Sequence, residues 1–381
     1  MTQTQKQNVP KLRFPEFEGD WQKRKLGELG PVSMCKRVMK DETKPSGDVP
    51  FYKIGTFGRE PDAFIDRELF DRYLERYPFP KTGDVLISAA GTIGRLVVYD
   101  GSPAYFQDSN IVWVANDERD VSNKFLLSCY QNTRWTTEDT TIARLYNDNL
   151  RNIDISAPTL PEQRKIARFL SAVDTKIAQL AEKKHLLEDY KKGCMQRLFS
   201  QRCRFKDENG DDFPDWDEMQ LGSLVRVTTG SSNREDSEDV GEYAFFDRSN
   251  DVRWSSKYLF DCEAIIVAGE GKDFPPRYFK GKFDLHQRAY AITNFESNSA
   301  KFLFYWINWH RAHFLKFSVG STMPSLRMSA FEKFPVALPH PNEQRKIAEF
   351  LSALDHKIEL VAQELTLARS FKAGLLQQMF V

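Results

Sequence analysis

Cysteine is scarce, with five residues (Cys35, Cys129, Cys194, Cys203 and Cys262) in a chain of 381. Their number is odd and no two form a C-x-x-C pair, so neither a disulfide framework nor a site of paired zinc-binding thiolates is written into the chain. Long apolar runs are missing too. None approaches the roughly 18 residues that a membrane span requires. The N-terminal text MTQTQKQNVPKLRF lacks the apolar stretch of a secretory signal, so a cytoplasmic location without membrane contact is expected. Histidine is rare, at six residues. His310 and His313 are spaced to share a helix face, but no acidic or thiolate ligand signature accompanies them, and no metal site is expected. An excess of either charge is absent as well: 54 basic and 54 acidic residues cancel. Proteins that grip nucleic acid alone by neutralising phosphates are usually basic. A DNA-binding role for this chain would therefore draw positive surface from partners.

The texts that mark cofactor and nucleotide chemistry are also missing. There is no N-P-P-[YF] motif, no F-x-G-x-G loop and no G-x-x-x-x-G-K-[ST] phosphate loop. The run Gly269, Glu270, Gly271, Lys272 lacks both the spacing and the hydroxyl residue of the last of these. No catalytic residue is expected. What the chain does have is core material: hydrophobic residues make up 41% of it, and 29 are Phe, enough for two or three domains.

The most informative feature is a duplication. EQRKIARFLSAVDTKI begins at Glu162 and EQRKIAEFLSALDHKI at Glu343, and the match continues through Gly193/Gly374, Gln196/Gln377 and Phe199/Phe380. A fainter repeat precedes each copy, FEGDWQKRKLGEL and FPDWDEMQLGSL, both with Trp before Leu-Gly-x-Leu. The apolar positions of the first segment include Ile166, Leu170, Val173, Ile177, Leu180 and Leu187. Those of the second include Ile347, Leu351, Leu354, Ile358, Val361 and Leu365. Steps of four and three sustained this long describe a coiled-coil seam, so the two helices are expected to pack on each other. At 1.5 Å per residue each helix would span roughly 57 Å, longer than a small domain is wide. Thr159, three residues before Glu162, suggests a capping box, with Pro161 in the first turn; Pro341 and Asn342 open the second helix. Lys184, Lys191 and Lys372 interrupt the stripe, where they either set register, contact an acidic partner, or lay their stems along the seam edge. Asp174 and Asp355 recur at matching positions and imply a shared structural or partner role.

Between the helices lie two blocks, roughly residues 11–158 and 203–339, that match each other poorly. In the first, GDVLISAAGTIGRLVVYDG (Gly83 to Gly101) predicts strand, glycine turn, strand, and IVWVAN predicts another strand. In the second, AIIVAGEGKDFPPRYFKGKF (Ala264 to Phe283) repeats that order, and KFLFYWINWHRAHFLKF predicts an aromatic-rich helix. The expected fold class is α+β, with segments at 1–159, 160–201, 202–340 and 341–381.

These texts resemble the specificity subunits of type I restriction–modification systems across nearly the whole chain. The family's proline followed by E-Q-x-x-I-A-x-x-L-x-x-x-D-x-x-I is met twice, at Pro161 with Glu162 to Ile177 and at Pro341 with Glu343 to Ile358. The run Gly83 to Arg95 and the tail GLLQQMF (Gly374 to Phe380) are similar to the family's as well. The resemblance implies two α/β target recognition domains separated by two conserved helices packed antiparallel, with pseudo-two-fold symmetry. Each domain would read one half of a bipartite site in double-stranded DNA, and helix length would set the spacer. The helices would dock two modification subunits, which use S-adenosylmethionine to methylate adenine N6. Two restriction subunits would bring ATP- and Mg2+-dependent translocation and cleavage, the whole serving host defence. The chain itself would hold no cofactor.

Base reading calls for forked donors and amide side chains on a surface that fits a groove. In the first block the candidates are Thr92 and Arg95 at the glycine turn, then Arg144, Tyr146 and Asn147. In the second they are Lys272, Arg277, Tyr278, His286, Gln287 and Arg288, followed by Ser321, Thr322 and Arg327 in GSTMPSLR. Gly91 and Gly94 also suit an ordinary hairpin turn. The competing classes are a coiled-coil scaffold joining two modules that do not bind DNA, an enzyme acting alone, and the specificity subunit of a related bipartite-site system.

Overall fold

The computed structural model describes residues 8–135, 145, 147–249, 251–320 and 322–381. The two repeated segments are long helices, Leu160–Phe199 and Pro341–Met379. The chain forms two compact units, one comprising residues up to 181 with 363–381, the other residues 182–362. Their boundaries do not follow the four sequence segments: both fall inside the long helices. Each unit therefore holds one variable block, half of the helix that ends that block, and half of the other helix.

In the first unit, Gln22–Lys25 pairs antiparallel with Asp154–Ala157, so the start of the block is stitched to the strand that leads into the helix. An antiparallel sheet runs Val32–Ser33, Ile111–Val114, Val85–Ser88, Leu96–Val98. Val85, Ile87, Val112 and Val114 face one apolar cluster, while Leu86, Ile111 and Trp113 face another. Alternate residues point to opposite faces of a strand, and both faces are covered here, so VLIS and IVWV read as unbroken apolar runs. Ile166 and Leu170, from the start of the first long helix, share a cluster with Leu375, Met379 and Phe380 from the end of the second. The helix halves are thus antiparallel, and Lys372 Nζ reaches Asp174 Oδ1 at 2.6 Å across them. Along the seam Leu180 and Leu365 are buried, and Val173 and Ile177 half-buried.

The second unit repeats the plan with a different sheet. Asp217–Gln220 pairs antiparallel with Pro335–Leu338, which leads into the second long helix. A six-stranded sheet runs Arg226–Thr229, Ala289–Thr293, Phe260–Ala268, Arg277–Leu285, Tyr243–Phe246, Arg253–Ser255, with one parallel pair, Tyr243–Phe246 beside Arg277–Leu285. Ile265 and Val267 face one cluster, Ala264 and Ile266 the other. Met195, Leu198 and Phe199 pack with Ile347 and Leu351, again antiparallel. Lys191 Nζ bonds Asp355 Oδ1 at 2.5 Å, and the Tyr305 hydroxyl donates to Asp355 Oδ2 at 2.6 Å. Val361 is buried, while Leu354, Ile358 and Leu187 are half-buried. Lys191 and Lys372 thus tie one helix to the other within each unit, whereas Lys184 bonds Glu188 on its own helix at 2.8 Å.

The repeated Glu-Gln dipeptide has one structural job in both units. The Glu162 carboxylate, 1% exposed, accepts from Arg13 Nε at 2.8 Å and Nη2 at 2.7 Å. Glu343, fully buried, accepts from the same atoms of Arg204 at 3.1 and 2.7 Å. Such forked pairs are strong and directional. The capping box suggested by Thr159 is not formed: the Glu162 carboxylate turns to Arg13 instead of back to the Thr159 backbone. The next residue caps a different helix: Gln163 Oε1 accepts from Ser122 N, and Gln344 Oε1 from Ser299 N, each at 2.9 Å. Ser122 and Ser299 are the N-caps of Asn123–Asn132 and Ala300–Trp309. Phe125 and Phe302, three residues on, meet Phe380 and Phe199 at ring distances of 5.4 and 6.2 Å. The last turn of each long helix therefore closes the other block's unit.

The two locks differ in one donor. Trp216 Nε1 donates to Glu343 Oε2 at 3.1 Å, whereas Trp21 Nε1 has no partner among the described residues. Removing one member of a buried ion pair costs about 3–5 kcal/mol, and a hydrogen bond to a charged group is worth about 1.5–3 kcal/mol. Arg13→Ala should therefore destabilise its unit by about 3 kcal/mol or more, and Arg204→Ala by about 1–2 kcal/mol less, because Trp216 still serves Glu343. Denaturant unfolding measures the loss, and hydrogen exchange at the start of each long helix assigns it to a unit. Equal losses would deny Trp216 that role.

Candidate nucleic-acid interface

In the second unit, several loops meet beside the six-stranded sheet. The turn 286–288, between strands Arg277–Leu285 and Ala289–Thr293, is held on several sides. His286 N donates to Phe246 O at 2.9 Å, Gln287 N to Ser232 O at 2.8 Å, and Gly269 N to Arg288 O at 2.8 Å. The loop 319–325 joins through Gly271 N to Pro324 O at 3.0 Å. A Cβ on Gly269 would sit 2.4 Å from Arg288 O, so only glycine allows these loops to approach so closely. Between the loops lies an open cleft of about 470 Å³.

Its polar groups are arranged in pairs. Glu270 Oε1 accepts from Arg288 Nη1 at 2.9 Å, and its Oε2 lies 3.6 Å from Arg248 Nη1. Gln287 Nε2 donates to Asn233 Oδ1 at 2.5 Å, while Asn233 N bonds Asp236 Oδ2 at 2.7 Å within a short 3-10 turn. His286 Nδ1 accepts from Arg288 N at 3.0 Å, which leaves the ring proton on Nε2. Burial holds this imidazole below its usual proton affinity, against the pull of Asp247. Beneath the cleft, buried Asp284 accepts from the hydroxyls of Ser232 and Ser255 at 2.8 and 3.0 Å and so fixes the loop bases.

Of the residues singled out in the second block, His286, Gln287 and Arg288 line this cleft. Lys272 and Thr322 are exposed on adjoining loops. Arg327 is exposed at the start of Met328–Glu332. Arg277 and Tyr278 lie on one strand and point oppositely. Arg277 donates to Ser249 O and lies over Phe246; Tyr278 bonds Glu263 and packs beside Phe304. Tyr278 thus supports the sheet, and Arg277 braces the loop that carries Arg248. Glu270, Arg248 and Asn233 escaped the sequence reading, which sought donors near glycine turns and so passed over an acid and two donors on other loops. Arg144, Tyr146 and Ser321 lie outside the described residues.

In the first unit the glycine turn is a built corner. Ser88 Oγ accepts from Arg95 N at 2.8 Å and donates to Thr92 O. Gly94 sits at φ +79, where a Cβ would come within 2.3 Å of Trp135. Thr92 is exposed at the turn, and Asn147 opens the helix Asn147–Arg151, half-buried. Arg95, also half-buried, turns back to donate from Nη1 to the Phe57 carbonyl at 2.8 Å. Elsewhere, His310 and His313 lie among aromatic rings, His310 against Trp306 and His313 against Phe317 and Phe334. Among the described residues no group of three or more His, Cys, Asp or Glu is placed to hold a metal ion.

Two α+β modules of unlike loops, each locked to a long helix by the same Arg–Glu and Gln–Ser contacts, define a protein of duplicated recognition modules. The chain belongs to the type I restriction modification DNA specificity domain family, whose model matches residues 18–189 and 214–368. It is 54% identical over 158 residues to a putative type I restriction enzyme specificity subunit of Haemophilus influenzae, a stretch that is 41% of each chain. It is 32% identical over 145 residues to the EcoDI specificity subunit of Escherichia coli, covering 38% of this chain and 32% of that one. The chain thus spans less than half the length of these two relatives in the matched stretches. The fold is that of the S subunit of a type I restriction–modification system from M. genitalium, with a TM-score of 0.68, 16% identity, and 98% and 99% of the two chains covered.

The geometry changes what is expected of Arg95. Its loss leaves the buried Phe57 carbonyl without its charged donor, so Arg95→Ala should lower stability by about 1–3 kcal/mol. Thermal or denaturant unfolding measures this. A loss under about 0.5 kcal/mol, together with altered DNA selectivity, would return Arg95 to the residues that read DNA.

Proposed function

We propose that this chain is the non-catalytic, sequence-reading subunit of a type I restriction–modification complex. Each variable block reads one half of a bipartite site in double-stranded DNA, and the length of the two helices sets the separation of the halves. The helices also dock two modification subunits, which supply S-adenosylmethionine and adenine methylation. Two restriction subunits supply ATP- and Mg2+-dependent translocation and cleavage. One observation carries this reading: the same lock, Arg–Glu with Gln–Ser, recurs in two units whose sheets differ in strand number and order. A duplicated base with divergent loops suits one partner type bound twice and two unlike targets. The zero net charge suits a reader that relies on partners for much of its grip on phosphates.

The purified chain alone should transfer no methyl groups and hydrolyse no ATP. With its modification subunits it should direct adenine methylation to one bipartite motif, read by genome-wide mapping of methylated adenine. Replacing residues 11–158 with a homologous block should change one half of that motif and preserve the other. Methyl transfer by the chain alone, or simultaneous change of both halves, would overturn the reading.

A further inference from the structure

We propose that Arg288 reads a guanine in the half-site engaged by the second block, and that Glu270 is the positioning residue that aims its guanidinium. This rests on the reading above, that the block binds DNA, and goes beyond it by naming the base and the device.

The case begins with what an arginine must offer a guanine. The O6 and N7 acceptors lie side by side in the major groove and take two parallel N–H donors from one edge of a guanidinium. Arg288 commits Nη1 to Glu270, and among the described residues its Nε–Nη2 edge has no partner. The side chain is 64% exposed, so that edge reaches solvent, whereas Glu270 is only 18% exposed and sits behind it. A carboxylate fixed behind a guanidinium sets its plane, which a free surface arginine must do at the cost of rotamer entropy. Arg248 stands at a looser 3.6 Å from the same carboxylate, so Arg288 is the better held of the two.

The backbone beneath is equally constrained. Arg288 N is bonded to His286 Nδ1, Arg288 O to Gly269 N, and Gln287 N to Ser232 O. The guanidinium is therefore presented from a turn with little freedom left to lose on binding. The neutral form of His286, favoured by its burial, keeps a further cation away from Arg288.

The acid also decides between base and phosphate. A surface built to hold phosphate presents unpaired Lys and Arg, and a carboxylate among them repels the backbone. The charged groups that line the cleft, Arg234, Arg248 and Arg288 against Glu235, Asp247 and Glu270, cancel, which leaves too little charge to grip phosphate by charge alone. Phosphate contact falls to the exposed Lys272 on the adjoining loop. Sequence reading falls to the pinned fork.

The experiment uses the complex of this chain with its modification subunits on duplexes of its mapped site. The first measurement needs no variant. Each guanine of the half-site assigned to the second block is replaced by 7-deazaguanine, which keeps its pairing but lacks the N7 acceptor. One such position should weaken binding roughly tenfold or more. In the Arg288→Ala complex the same replacement should have no further effect, and discrimination of guanine from adenine there should fall roughly ten- to a hundredfold. Glu270→Gln should lose part of that discrimination and leave the other half-site untouched. If wild type methylates a specific site but tolerates 7-deazaguanine at every guanine of that half, or if that half contains no guanine, the inference is wrong and the proposed function stands. If the complex shows no sequence specificity at all, both fall.

Discussion

Everything else in this fold depends on placing a carboxylate out of water at the first turn of a long helix. Glu162 and Glu343 are tolerable there only because a guanidinium meets each with two parallel hydrogen bonds. That pairing draws the first residues of each block onto the helix that follows it. The adjacent glutamine, buried by the same packing, caps the block's own helix. Three pieces of chain distant in sequence are thereby brought to one point, and the strands above it, Gln22–Lys25 with Asp154–Ala157 and Asp217–Gln220 with Pro335–Leu338, close the block on itself. The lock is demanding in geometry, which is why it is the part repeated most faithfully, while the sheets above it differ in strand number and order.

A base this rigid frees the loops from any duty to hold the fold together. In the second unit the loop ends are fixed by buried Asp284 and by backbone bonds, and Arg288 and Arg248 are paired with Glu270 at the cleft. Pairing lowers general affinity for phosphate and raises directional selectivity. That balance suits a chain with equal numbers of acids and bases, and it fits the proposed role of selecting a sequence with partners that share the grip on DNA.

How legible this was depended on the distance between interacting residues. The long helices were readable because their pattern is local: apolar residues every three or four positions, and proline at each start. The sheets were readable where glycine turns separate short apolar runs. Arg13 and Arg204 were not, because their partners lie 149 and 139 residues away, though a signal was present. Arg13-Phe14 and Arg204-Phe205 form a matching pair at the start of each block, and their rings meet the equivalent residues Phe169 and Phe350 at 5.9 Å. Among the base-reading candidates, local text could not separate Arg288, exposed at a turn, from Arg277, which starts a strand and is bonded to Ser249. Nor could it find Glu270, whose value lies in what stands in front of it.

The sequence by itself determined the duplication, the helix seam and the α+β class, because periodicity and repetition are properties of neighbours along a chain. The resemblance it carries to a family added the expectation of two recognition domains. Only the tertiary structure decided that each compact unit takes half of both helices, that Lys191 and Lys372 bind Asp355 and Asp174 across the seam, and that Arg95 turns inward while Arg288 faces out. Those outcomes depend on which distant groups compete for one carbonyl or carboxylate. That competition is settled by burial and geometry once the chain has closed, and no local pattern records it.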